Sequence, residues 1–200
     1  MKPLITLFLA AFLHAPLFSA QPNIVFILAD DMGYGDLGCY GHPRAKTPVI
    51  DRLAKEGVRF TQHYSNATEC SPTRTAFLTG RYPQRAGGLE CAIGTGNVGR
   101  YDDAIRLANQ RQLGLPAKQV ILPSALKPAG YVSGVFGKWH LGYEPQFNPI
   151  EHGWDDFFGY MGGNVHYFNH RETSDLHVLY RGRLPIHIEG YMTHLITDSS

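Results

Sequence analysis

Apolar residues along this chain fall into short runs separated by glycine, proline and charged pairs. Residues 23–29 form one continuous run that stops at Asp30-Asp31. Its length and lack of alternation predict a strand buried on both faces of a parallel sheet. After a glycine-rich loop the period changes. Thr47 is the expected N-cap and Pro48 the first helical residue, Ile50, Leu53 and Ala54 make an apolar stripe, and Gly57 closes the element. Residues 58–64 read as a second strand. Pro72 and Gly80 have the positions expected of a helix's first turn and its end. Residues 84–120 have no strong periodicity and read as a long excursion. Residues 122–129 predict a short helix closed by Gly130. Residues 131–136 predict another buried strand, running into Gly137-Lys138-Trp139-His140. Residues 191–200 look like a helix being entered, without a closing signal. Alternating strands and helices predict an α/β fold, a mainly parallel sheet sandwiched by helices.

Composition narrows the function. Two hundred residues make one domain with ample core. A net charge of +1 provides no global field for nucleic acid or an anionic membrane. With 18% charged and 44% hydrophobic residues the chain reads as globular rather than disordered. Three cysteines are too few for a disulfide scaffold. Cys39 and Cys91 are either two small buried thiols or a pair.

The first twenty residues resemble an export signal. Lys2 supplies the positive region, residues 4–13 the apolar one, and Ser19 and Ala20 the small residues before cleavage. A retained anchor or a buried first helix is the other reading of this run. Export predicts a secreted or periplasmic protein with its folded part at 21–200. No other segment approaches the roughly 20 apolar residues of a membrane helix, so no stable span is expected.

Candidate chemistry gathers at strand ends. In open α/β sheets, ligands sit beyond the carboxyl ends of strands. Asp30 and Asp31 follow one predicted strand, and Lys138 and His140 follow another. Adjacent carboxylates are costly unless something positive faces them, and their hard oxygens suit Ca²⁺ or Mg²⁺. If Cys70 begins a helix, its N–H groups and dipole favour an anion there, and Arg74 falls on the same helical face.

Cys70-Ser71-Pro72-Thr73-Arg74 has the form C-x-P-x-R and continues into Thr75-Ala76-Phe77-Leu78-Thr79-Gly80-Arg81. Three further stretches stand in matching order: residues 22–31, residues 47–54 and Gly137-Lys138-Trp139-His140-Leu141-Gly142. Together they resemble the sulfatase family, with its alkaline-phosphatase-like fold, over roughly residues 22–200. The resemblance implies that Cys70 is oxidised by a formylglycine-generating enzyme to Cα-formylglycine, whose hydrate attacks sulfur. Deprotonating the second hydroxyl then expels sulfate, which splits one hard step into two. It implies that Asp30, Asp31 and the residue made from Cys70 hold Ca²⁺ or Mg²⁺. Arg74 would stabilise the hydrate, Lys138 would contact it and a sulfate oxygen, and His140 would take the second proton. Asn164 and His166 would lie near the sulfate.

The family's other metal ligands, an Asp-Asn pair, and its leaving-group histidine and second lysine have no counterpart here. Its members are substantially longer, so residues 21–200 read as the N-terminal part of a truncated catalytic domain. The implied substrates are sulfated glycans or aryl sulfates. Two other functions fit: a phosphate or phosphonate ester hydrolase on the same fold, and an inactive carbohydrate-binding relic. Asn66-Ala67-Thr68 matches a glycosylation sequon but is assigned no role.

Overall fold

The computed structural model describes residues 21–86, 92–94 and 102–200. The expected export signal at residues 1–20 and Cys91, and with it a Cys39–Cys91 pair, lie outside them. The chain divides into two compact units between Val58 and Arg59.

The first unit is built around one helix, α1 (Pro48–Glu56), which begins and ends where proline and glycine predict. Thr47 holds the N-cap position, but its hydroxyl does not cap. It accepts from Gly38 N–H at 2.9 Å and donates to Asp51 Oδ1 at 2.8 Å. Asp51 also accepts from Cys39 N–H at 2.7 Å. The hydroxyl and carboxylate thus tie the loop at residues 38–39 to the helix. The Thr47 hydrogen bond is the main reason the Asp51 carboxyl sits below its usual range.

Two expected strands are absent. Residues 23–29 and 58–64 form neither helix nor strand, and all are exposed. The α1 stripe is also open, with Ile50 and Leu53 both exposed. An apolar run expresses a need for neighbours and does not itself supply them, so pairing fails wherever no adjacent strand is present.

The second unit carries the core. Helix α2 (Cys70–Thr79) ends at Gly80, whose φ of 64° is a left-handed cap that side chains other than glycine disfavour. Helix α3 (Asp102–Asn109) lies inside the stretch read as an excursion, and its Ala104 is fully buried. Helix α4 (Leu122–Leu126) runs into a 3₁₀ turn at Lys127–Ala129 and stops at Gly130 as expected. Strand β1 (Gly134–Lys138) pairs in parallel with β2 (Asp156–Tyr160). β2 pairs antiparallel with β3 (Leu179–Arg181), which pairs antiparallel with β4 (Leu184–Pro185). These four strands make a mixed sheet in the order β1-β2-β3-β4. Helix α5 (Met192–Ser199) forms where the sequence enters it.

Adjacent residues on β2 explain the layering. Successive strand side chains point to opposite faces. Phe157 packs with Leu78, Ala104, Ile121, Trp139 and Leu141. Phe158 faces the other way, toward Leu179, Met192 and Ile196. Both rings are almost wholly buried. The sheet is therefore covered on both faces, which is the α/β sandwich the alternation predicts.

The β1–β2 pair also has a close approach. Gly137, at φ 111°, lies opposite Gly159, and a Cβ on Gly159 would run into the Gly137 carbonyl. Glycine on both strands lets the backbones pass where Lys138 leaves the sheet.

Candidate active site

Glu69 occupies the N-cap of α2 with extended backbone, and Cys70 is the first helical residue. Pro72 lies in the first turn, where its missing N–H would have no helical partner. The Cys70 side chain thus stands at the positive end of a ten-residue helix.

Strand β1 brings the second component. Lys138, 68 residues further on, donates from Nζ to Cys70 Sγ at 3.1 Å. Arg74 Nη1 donates to the Lys138 carbonyl oxygen at 2.6 Å. The arginine of the C-x-P-x-R run therefore braces the strand that carries the lysine. Cys70, Arg74 and Lys138 are all half-buried, where charge acts more strongly than in bulk water.

His140 follows at the end of the strand with φ 57°, a left-handed backbone rare outside glycine. Its ring is 4% exposed, and Nε2 is hydrogen-bonded to the Ile93 carbonyl oxygen. A carbonyl only accepts, so Nε2 carries the proton and Nδ1 holds the lone pair. Nδ1 has no partner among the described residues. Burial, reinforced by the charges of Lys138 and Arg74, pushes the imidazole down to about 4. The ring is neutral near pH 7, with its lone pair on the buried Nδ1.

Residues 92–94 form a strap that the sequence does not announce. Ala92 N–H donates to Glu69 Oε2 at 2.7 Å, and Ile93 N–H donates to the fully buried Ser71 hydroxyl at 3.0 Å. The Ile93 carbonyl then meets His140. Glu69 and Ser71, the two neighbours of Cys70, thus connect the helix to the histidine through backbone. Their polar side chains on either side of the cysteine are the one sequence signal for this.

Asp30 and Asp31 lie in the first unit, exposed, at the end of the extended run. Asp31 has φ 56°, which turns the chain sharply there. Two adjacent exposed carboxylates are hard oxygen donors of the kind Ca²⁺ or Mg²⁺ takes. Asn164 and His166 lie on the exposed stretch after β2. Asn164 Oδ1 accepts from Thr173 N–H and hydroxyl, both at 3.1 Å. His166 Nδ1 accepts from Phe168 and Asn169 N–H. Each side chain holds its own turn.

Comparison with known proteins is decisive here, since the sulfatase family model matches residues 22–199. The chain belongs to the sulfatase family. It is 46% identical over 138 residues to the N-acetylgalactosamine-6-sulfatase of Homo sapiens, covering 69% of this chain and 25% of that one. The crystal structure of Ps i-CgsB aligns with a TM-score of 0.72 and 29% identity, over 86% of this chain and 39% of the other. A protein solved in complex with its substrate D-glucosamine-2-N,6-O-disulfate aligns with a TM-score of 0.67 and 28% identity, over 89% and 30%. The chain spans about a quarter of the length of the curated relatives it matches. Among the described residues no helix is long and apolar enough to cross a membrane.

Proposed function

We propose that the protein containing this chain hydrolyses sulfate monoesters, converting R–O–SO₃⁻ and water to R–OH, SO₄²⁻ and a proton. The observation that carries the reading is the Lys138 ammonium 3.1 Å from Cys70 Sγ at a helix N-terminus. A cation and a helix dipole converging on one side chain are what an anionic ester and a developing alkoxide require.

The proposed nucleophile is Cα-formylglycine, made from Cys70 by a modifying enzyme, which supplies a hydrated aldehyde that can release sulfate. Lys138 orients the hydrate and neutralises a sulfate oxygen. Arg74 holds Lys138 in place through the strand carbonyl. His140, neutral with a lone pair on Nδ1, takes the proton in the elimination step. Asp30, Asp31 and the residue made from Cys70 would hold Ca²⁺ or Mg²⁺, which supplies charge neutralisation and a template. Asn164 and His166 are assigned to substrate contact from the family pattern.

A sulfated glycan is the proposed substrate class. The relative named for N-acetylgalactosamine-6-sulfate chemistry and the neighbour solved with a disulfated glucosamine both support it. Export guided by residues 1–20 would bring the enzyme to such polymers.

The test uses full-length protein co-expressed with a formylglycine-generating enzyme. Mass spectrometry of the peptide containing Cys70 should show an aldehyde-reactive residue. Sulfate esters should turn over much faster than the matching phosphate esters, and Cys70→Ala should lower kcat on the order of 10⁴-fold or more. Preference for the phosphate ester, or full activity in Cys70→Ala, would overturn the reading. Sugar binding without any turnover would identify a non-catalytic relic.

A further inference from the structure

One buried carboxylate beside His140 has no part in the reaction above. Glu172 is only 7% exposed. Its Oε1 accepts from the Tyr143 hydroxyl at 2.5 Å and from Gly163 N–H at 2.8 Å. Its Oε2 accepts from the Ser174 hydroxyl at 3.3 Å. All three donors are neutral, and among the described residues the carboxylate has no ion pair, a costly way to bury it. Burial, and after it the Glu172 hydrogen bond, push Tyr143 well above the usual phenol range, which keeps its hydroxyl a donor.

The contacts lead from this carboxylate to the imidazole. A Cβ on Gly162 would collide with the Glu172 carboxylate. A Cβ on Gly163 would stand 2.8 Å from both Cε1 and Nε2 of His140. The glycine pair is thus a thin backbone layer, with a carboxylate on one side and an imidazole on the other. Glu172 holds that layer by the Gly163 N–H, and the layer closes one side of the ring. The Ile93 carbonyl fixes the edge that carries Nε2. The negative charge of Glu172 also favours the imidazolium that proton uptake creates, against the opposite effect of Lys138 and Arg74.

We propose that Glu172 is the positioning residue for His140: it holds Gly163 against the imidazole so that Nε2 stays on the Ile93 carbonyl and Nδ1 is the nitrogen that keeps its lone pair. The inference rests on His140 serving as the proton acceptor in the proposed reaction. Tyr143 is the second support, since its hydroxyl donates to the same Oε1 and accepts weakly from Gly163 N–H at 3.3 Å.

The test separates ring placement from turnover. Full-length protein labelled with ¹⁵N at histidine should show an exchange-protected Nε2–H for His140 near neutral pH. Glu172→Leu keeps the bulk and removes the acceptor. It should abolish that protected proton and lower kcat about 10²-fold with KM little changed, as for a misplaced catalytic group. Glu172→Gln keeps an acceptor for Gly163 and Tyr143 and should restore most of both signals. Should Glu172→Leu fail to fold, Gly163→Ala leaves the carboxylate in place and presses a methyl on the ring, with the same loss expected. A protected Nε2–H unchanged in Glu172→Leu, or in Gly163→Ala where that variant stands in for it, overturns the proposal whatever the activity. Wild-type protein without turnover would overturn the sulfatase reading, while the imidazole signal would still decide the role of Glu172.

Discussion

Residues 23–29 and the β1–β2 pair are both apolar, and they meet opposite surroundings. In the first, Val25 and Ile27 are more than four-fifths exposed. In the second, Phe157 and Phe158 are within 1% of complete burial on opposite faces. β1 has a five-residue parallel register with β2 and packed side chains on each side. The earlier run has no ladder partner among the described residues. Fully burying one large aliphatic or aromatic side chain is worth about 1.5–3 kcal/mol. The difference lies in what surrounds each run, since hydrophobicity stabilises only when other elements remove the run from water.

The comparison breaks most readily at Phe157. Replacing it with alanine empties a site shared with Trp139 and Leu141 and should cost about 3–5 kcal/mol in urea unfolding. A cost below about 1 kcal/mol would mean that the sheet does not anchor the core.

The next effect is set by pH. Burial lowers His140 from 6.5 to about 4, so the fold prefers the neutral ring. Below pH 6.5 the unfolded chain binds a proton that the folded chain refuses until about pH 4. Stability is therefore complete above 6.5 and declines as pH falls toward 4, by about 3 kcal/mol at most. Burial lowers His152 as well and acts in the same direction. Melting temperatures from pH 8 to pH 4 should show the decline, and His140→Gln should reduce it.

The smallest effect belongs to the exposed run. Ile27→Ser should change stability by no more than about 0.5 kcal/mol in the 200-residue chain. A loss of several kcal/mol would show that this run is buried in solution.

Local punctuation was the most legible part of the fold. Proline and glycine mark the ends of α1 and α2 because their backbone restrictions act within one or two residues. Pairing was not legible. The runs at 23–29 and 58–64 carry the composition of strands, but composition does not name a partner. The β3–β4 hairpin was missed because its strands have only three and two residues. Helix α3 was missed because the polar composition of its surroundings hid the face formed by Ala104 and Leu107.

Cys70, Arg74, Lys138 and His140 were singled out through their motifs, since nothing in their spacing shows that positions 70 and 138 meet. Glu172 was invisible because its partners are a backbone amide and a tyrosine 29 residues away. The paired glycines at 162 and 163 were its only trace.

The strap at residues 92–94 bears on how such a centre would be mapped. Its links to Glu69, Ser71 and His140 run through the amides of Ala92 and Ile93 and the carbonyl of Ile93. Arg74 likewise grips the carbonyl of Lys138. Side-chain replacement leaves all of these peptide groups in place. A survey by alanine substitution would score Ile93 by its contribution to the core and pass over its role as a connector. Editing the main chain itself, by exchanging an amide for an ester, would expose the wiring that the side chains conceal.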